Sequence, residues 1–131
     1  MPDNDLLKKA RKSKESSYSP YSRFPVGAAV EMESGKVFTG TNIENASYGL
    51  TMCAERVAIF NAISQGETKI KRIAISCPST EGTINSLMPC GACRQVISEF
   101  STPSTIITVD GVGEFKVSAL LPQAFEIQPD Q

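Results

Sequence analysis

The strongest constraint on the fold is a pair of short motifs, Cys53-Ala54-Glu55-Arg56 and Pro89-Cys90-Gly91-Ala92-Cys93-Arg94-Gln95, in a chain of 131 residues without histidine. Cys53 and Cys90 each stand where loop or strand gives way to a helical pattern, and Cys93 follows Cys90 by about one turn. A helix N-terminus carries unpaired amides and partial positive charge, so both positions favour thiolate over thiol. Two adjacent parallel strands would bring both helix starts to one edge of a sheet, the edge where ligands bind in open α/β folds. There a C-x-x-C pair can grip one metal ion, and a lone cysteine from the neighbouring helix can complete a trio. Three protein ligands leave the fourth tetrahedral position of zinc open, as catalytic sites require, and with no imidazole available Cys53 fills a place a histidine could have held. Glu55, in the first helical turn, can approach the metal without ligating it. A carboxylate there can take a proton from metal-bound water, whose pKa on zinc falls to about 7.

The length fits one domain, residues 1–131, with a core of its own. Hydrophobic residues make up 40% and charged residues 21%, the balance of a folded globular chain. Thirteen basic and fourteen acidic residues leave a net charge of -1, which argues against a polynucleotide partner and for a small, weakly charged substrate. The N-terminus lacks the apolar core of a signal peptide, and no run approaches the roughly 20 apolar residues of a membrane span. A reducing, cytoplasmic setting is expected, where the four cysteines are ligands, catalytic groups or buried apolar residues before they are disulfides.

Residues from Asn4 to about Ser17 favour helix, with Leu6, Leu7 and Ala10 on one side and a solvated basic face of Lys8, Lys9, Arg11, Lys12 and Lys14; Pro20 ends it. Val26 to about Met32 and Lys36 to about Ile43 read as an antiparallel hairpin turning at Glu33-Ser34-Gly35. From Cys53 to about Gln65 the helix is apolar nearly all round, which predicts burial on several sides, either against another subunit as well as the sheet or as the central helix of a monomer. Strands follow at Ile70 to Cys77 and Thr105 to Val109, with a helix from Gly91 to Phe100 between them. Helices separate consecutive strands twice, which calls for parallel pairing through right-handed crossovers. Only Asp110 to Gly113 separate Val109 from Glu114, too few for a crossover, so a last strand near Phe115 to Ser118 runs antiparallel. The expected fold is a layered α/β/α domain with a mixed sheet of about five strands.

Other readings of the cysteines are weaker. A redox C-x-x-C pair leaves Cys53 and Glu55 without a role, and no tryptophan precedes the motif. A closed structural zinc site would need Cys77 as fourth ligand, yet Cys77 ends an apolar strand before Pro78 and reads as a buried, unligated thiol. Cysteine or histidine, one residue, glutamate, then P-C-x-x-C is the signature of zinc-dependent deaminases.

The match extends beyond these motifs. Tyr18-Ser19-Pro20-Tyr21-Ser22-Arg23-Phe24-Pro25-Val26-Gly27-Ala28-Ala29, Thr41-Asn42-Ile43-Glu44-Asn45-Ala46-Ser47-Tyr48-Gly49-Leu50-Thr51 and the two cysteine motifs resemble the small homotetrameric cytidine deaminases of pyrimidine salvage, in order and over most of the chain. The resemblance implies hydrolysis of cytidine and 2′-deoxycytidine to uridine and 2′-deoxyuridine with release of ammonia. It implies one zinc ion on Cys53, Cys90 and Cys93, with Glu55 moving the proton from the attacking water to ring N3 and then to the departing amine. By the same resemblance Asn42 and Glu44 hydrogen-bond the ribose, Phe24 packs on the pyrimidine, and the backbone at Ala54 contacts the base. Ala46 and Tyr48 reach the sugar from a neighbouring subunit, and Phe125 covers the base from another. Met88 departs from the pattern, where a small polar residue is expected before the Pro-Cys pair.

Three thiolates on a divalent cation leave a formal charge of about -1, which opposes ionisation of bound water more than a site with neutral histidine does. Arg56, beside Cys53 on a helix start, is the expected compensating donor to sulfur. Alternatives to cytidine deamination are a deaminase for another aminopyrimidine, such as blasticidin S, and a non-enzymatic zinc module that binds a protein.

Overall fold

The computed structural model describes residues 2–78 and 87–127. Helix α1 (Pro2–Ser13) is followed by a 3-10 turn, Lys14–Ser16, so the expected first helix tightens before Ser17. Strands β1 (Gly27–Met32) and β2 (Val37–Thr41) form the expected hairpin. Gly35 turns it at φ 94°, a left-handed conformation that glycine adopts without steric cost. Helix α2 (Ala54–Ser64), strand β3 (Ile70–Ser76), helix α3 (Gly91–Glu99), strands β4 (Ile106–Val109) and β5 (Gly113–Lys116), and a one-turn helix α4 (Val117–Leu120) complete the described elements.

The sheet order is β2-β1-β3-β4-β5. β3 and β4 pair in parallel and β5 returns antiparallel, as the short connection requires. Two expectations need correction. The first crossover does not join paired strands, because β1 lies between β2 and β3 and is antiparallel to both. Its Ala28-Ala29-Val30 core is buried on both faces, which demands a central place, whereas β2 keeps an exposed position and suits an edge. The last strand stops at Lys116 instead of Ser118. The amides of Val117 and Ser118 donate to the carbonyls of Thr105 and Pro103 at 2.9 and 3.0 Å, bending the chain into α4 where β4 has already begun.

Period-two alternation assigns side chains to the two faces. Ala29 and Ala74 meet Leu6 and Ala10 of α1 on one face. Ala28, Val30, Met32, Ile73 and Ile75 meet Ala54, Ala58, Ile59 and Ala62 of α2 and Ile97 of α3 on the other. α2 sits close to β2 because residue 40 is glycine: a Cβ there would lie 2.3 Å from the Ala58 amide nitrogen and 2.8 Å from the Ala54 carbonyl. Phe60 of α2 remains 44% exposed on the outward side of that helix. Although unpaired, β2 and β3 run in the same direction, so the starts of α2 and α3 still come to one edge of the sheet. That edge is pinned by Arg11, whose Nε and Nη2 each donate to Asp110 at 2.8 Å while Ser76 Oγ donates to the same carboxylate at 2.8 Å.

Candidate active site

Cys53 is the N-cap of α2 and Cys90 the N-cap of α3, where the Cys93 amide donates to Cys90 Sγ at 3.5 Å. The three Sγ atoms lie within 4.8 Å of one another, with Cys53–Cys90 at 3.9 Å and Cys90–Cys93 at 3.4 Å. A disulfide needs sulfurs about 2.0 Å apart, and all four cysteines are free. Tetrahedral zinc with Zn–S of 2.3 Å sets its thiolates about 3.8 Å apart, so the trio fits that ion. Cys93 is buried, Cys53 is half-buried and Cys90 is exposed, which leaves one side of the trio facing open space.

Ionisation within the trio is unequal. Hydrogen bonding from Cys93, then from Arg56, holds the Cys53 thiol down to about 5. Cys93 is displaced upward by the same contact and by its burial. Arg56 Nη2 donates to Cys53 Sγ at 3.3 Å, and that contact raises the guanidinium further above its already high pKa. The expected cation therefore sits against the expected sulfur. Glu55, 5% exposed, is pushed up to about 7, chiefly by burial.

Beside the trio lies a cavity of about 520 Å³. Phe24, Asn42, Glu44, Tyr48, Cys53, Ala54, Glu55 and Cys90 are among its lining residues. Asn42 and Glu44 come from the segment after β2, Phe24 from the loop before β1, and Glu55 from the first turn of α2. Asn42 Nδ2 donates to the Phe24 carbonyl at 2.9 Å, while its Oδ1 accepts from the Val26 amide at 2.9 Å and from Ser17 Oγ. Glu44 Oε1 accepts from the amides of Tyr21 at 2.9 Å and Ser22 at 3.1 Å, and Oε2 accepts from Ser22 Oγ. These contacts, the Ser22 hydroxyl first, hold the Glu44 carboxyl below the ordinary range.

Ala46 and Phe125 are not brought to this cavity. Phe125 is 70% exposed, and its carbonyl accepts from Gln95 Nε2 at 3.0 Å. Cys77 stays outside the metal trio but is only half-buried and forms part of the cavity wall, its thiol pushed up to about 11 mainly by burial. Leu87 and Met88 add to that apolar wall.

Sequence reasoning missed two contributors. Ser22 lines the cavity and contacts Glu44, and Arg94 Nε donates to the Pro89 carbonyl at 2.8 Å while Nη1 donates to the Leu120 carbonyl at 3.0 Å, bracing the loop before Cys90. Ser22 gave no chemical signal. Arg94, one residue after Cys93, carried only its adjacency to the motif.

Residues 1–109 match the family model for the cytidine and deoxycytidylate deaminase zinc-binding region. The chain is 46% identical over 124 residues to a cytidine deaminase of Sporosarcina psychrophila, covering 92% of this chain and 88% of that protein. It is 47% identical over 124 residues to one from Halalkalibacterium halodurans, covering 92% and 91%. Among solved structures, the cytidine deaminase of Burkholderia pseudomallei superposes with a TM-score of 0.84 at 42% identity, covering 95% of this chain and all (100%) of that one.

Proposed function

Since this chain belongs to the cytidine deaminase family, we propose that it hydrolyses cytidine, and 2′-deoxycytidine with it, to the uracil nucleoside and ammonia. The observation that carries the reading is the meeting of three sulfurs within 4.8 Å at a cavity that the buried Glu55 also lines. Cys53, Cys90 and Cys93 would hold one zinc ion, which when bound supplies Lewis acidity that makes water a nucleophile at neutral pH. Glu55, a carboxyl raised to about 7, suits proton transfer in both directions near neutrality. It would take the proton of the attacking water, deliver it to ring N3 as oxygen adds to C4, and then carry the proton of the new C4 hydroxyl to the amine, so that the C4–N bond breaks, the C4 carbonyl forms and ammonia leaves. Arg56 offsets the charge of the third thiolate through its contact with Cys53.

The opposite side of the cavity supports a nucleoside over a nucleotide. Asn42 has one N–H left after its bond to Phe24, and Glu44 has one acceptor position left on Oε2 after Ser22. One donor beside one acceptor suits a sugar hydroxyl, which both accepts and donates. A phosphate there would set an anion against an ionised carboxylate. Phe24 would supply a ring face for the base and the backbone at Ala54 a contact to it, and both residues line the same cavity.

The reading includes assembly as a homotetramer, with Ala46, Tyr48 and Phe125 serving neighbouring copies. What supports it is the exposure of Tyr48 at 81%, Leu50 at 68% and Phe125 at 70%, large apolar groups left in water by this chain alone. It also includes a cytoplasmic setting; no described helix is long and apolar enough to cross a membrane.

Zinc content and turnover measured on one sample test the proposal. We expect about one zinc per chain, loss of cytidine absorbance with matching ammonia, and loss of both zinc and turnover on chelation, restored by zinc. A protein fully loaded with zinc that leaves cytidine unchanged would overturn it.

A further inference from the structure

Residues 19–26 contain no helix or strand, yet Ser22, Phe24 and Val26 from this segment line the cavity. Its backbone is not one the segment would adopt alone. Arg23 has φ 56°, a left-handed conformation that a non-glycine residue keeps only where its surroundings over-determine it. The surroundings here are two side chains from the far side of the hairpin. Asn42 grips the Phe24 carbonyl and the Val26 amide, and Glu44 grips the amides of Tyr21 and Ser22. Ser22 joins the two grips. Its hydroxyl donates to Glu44 Oε2 and accepts from the Phe24 amide at 3.1 Å, so one side chain touches both the carboxylate and the backbone of the ring residue.

We infer that Ser22 is a positioning residue for the sugar end of the substrate: its hydroxyl orients Glu44 with one acceptor position open to the cavity. The inference rests on the deaminase reading. Two amides hold Oε1, whereas on Oε2 Ser22 is the contact that limits rotation of the carboxylate. Without it Oε2 is free to swing, and the hydroxyl of a bound nucleoside meets an acceptor that must first be ordered. The chemistry at C4 takes place at Glu55 and the cysteine trio, contributed by α2 and α3, and is left unchanged. The loss therefore falls on binding shared by ground state and transition state, which raises KM and spares kcat.

The test compares cytidine with 2′,3′-dideoxycytidine, which lacks the sugar hydroxyls that Asn42 and Glu44 could hold. For Ser22→Ala we expect KM for cytidine to rise about tenfold with kcat within about twofold, the scale of one hydrogen bond to a charged group. KM for the dideoxynucleoside should move by less than about twofold, because the partner of the oriented carboxylate is already missing. Ser22→Thr, which keeps the hydroxyl, should return KM for cytidine to within about threefold of the original protein. Equal rises in KM for both nucleosides, or a fall in kcat with KM unchanged, would show that Ser22 only shapes the loop and would overturn the inference while the deaminase reading stands. A parent protein inert toward cytidine overturns that reading and this inference together.

Discussion

The corner where α2 and α3 begin and the outer mouth of the same cavity are built in opposite ways. At the corner the groups are held by burial and by contacts between elements: Cys93 is fully buried, Glu55 is 5% exposed, Arg56 reaches Cys53, and Arg94 braces the Pro89 carbonyl. At the mouth the 3-10 turn Tyr48–Leu50 is held by bonds within its own few residues, such as Leu50 N to Ser47 O at 2.8 Å and Asn45 N to Thr51 Oγ1 at 3.1 Å. Tyr48 projects from it 81% exposed. One chain thus fixes the corner proposed for the C–N chemistry and leaves the mouth of the cavity exposed. The sharpest way to break the comparison is Glu55→Gln, which keeps size and burial while removing the proposed proton carrier. We expect kcat to fall about a thousandfold with zinc content and melting temperature close to the parent's. A kcat within tenfold of the parent would falsify the assignment of proton transfer to this corner.

Arg56→Gln probes the same corner more gently. Removing a cation from beside the Cys53 sulfur leaves the trio more negative, so the site gives up a proton less readily. The acidic limb of the kcat/KM profile should move to higher pH by about one unit, with activity recovering in alkaline buffer. A profile that keeps its shape and position would mean that the two helix N-termini supply the compensation without Arg56.

How much of this was legible in the sequence follows the same division. The corner was readable because its chemistry is local: a C-x-x-C places two thiols one turn apart on any helix, and Cys53 with Glu55 shares the first turn of another. The direction of the strands was readable as well, and direction alone brings both helix starts to one edge. Which strands are neighbours was not readable. A helix between strands dictates parallel direction but not adjacency, and the hairpin partner β1 took the place between β2 and β3. The helix α4 was hidden because its cause is tertiary: Val117 is β-branched, and only the carbonyls of Thr105 and Pro103 bend it out of the strand. Ser22 was hidden for the same reason, since its hydroxyl acquires a role only by meeting a carboxylate 22 positions later.

Tyr48→Ala sharpens the comparison from the other side. If the mouth is completed by neighbouring copies, loss of the ring should raise KM about fivefold with kcat nearly unchanged, the scale of one aromatic contact. The expected pattern is opposite to that of Glu55→Gln. Sedimentation of the parent protein at one chain mass would remove Phe125 from the site while leaving the corner, and Tyr48 on the wall of this chain's own cavity, in place.

The smallest expected effect belongs to the sheet edge that carries both regions. Asp110 joins the end of β4 to α1 through Arg11 and to the end of β3 through Ser76, yet touches neither the trio nor Glu44. Asp110→Asn should leave kcat and KM unchanged and lower the melting temperature by a few degrees at neutral pH, because an exposed ion pair contributes little after solvent screening and Ser76 loses only its charged acceptor. The pH dependence has a definite sign. The Arg11 hydrogen bonds, with Ser76 assisting, depress the Asp110 pKa in the folded protein. Its stabilisation is therefore complete above the unfolded value of about 3.9 and is lost as pH falls through the lower folded value. The melting temperatures of parent and Asp110→Asn should accordingly stay apart from neutrality down to about pH 4 and converge below it. A gap that persists into stronger acid would show that the carboxylate's charge is not what ties α1 to this edge.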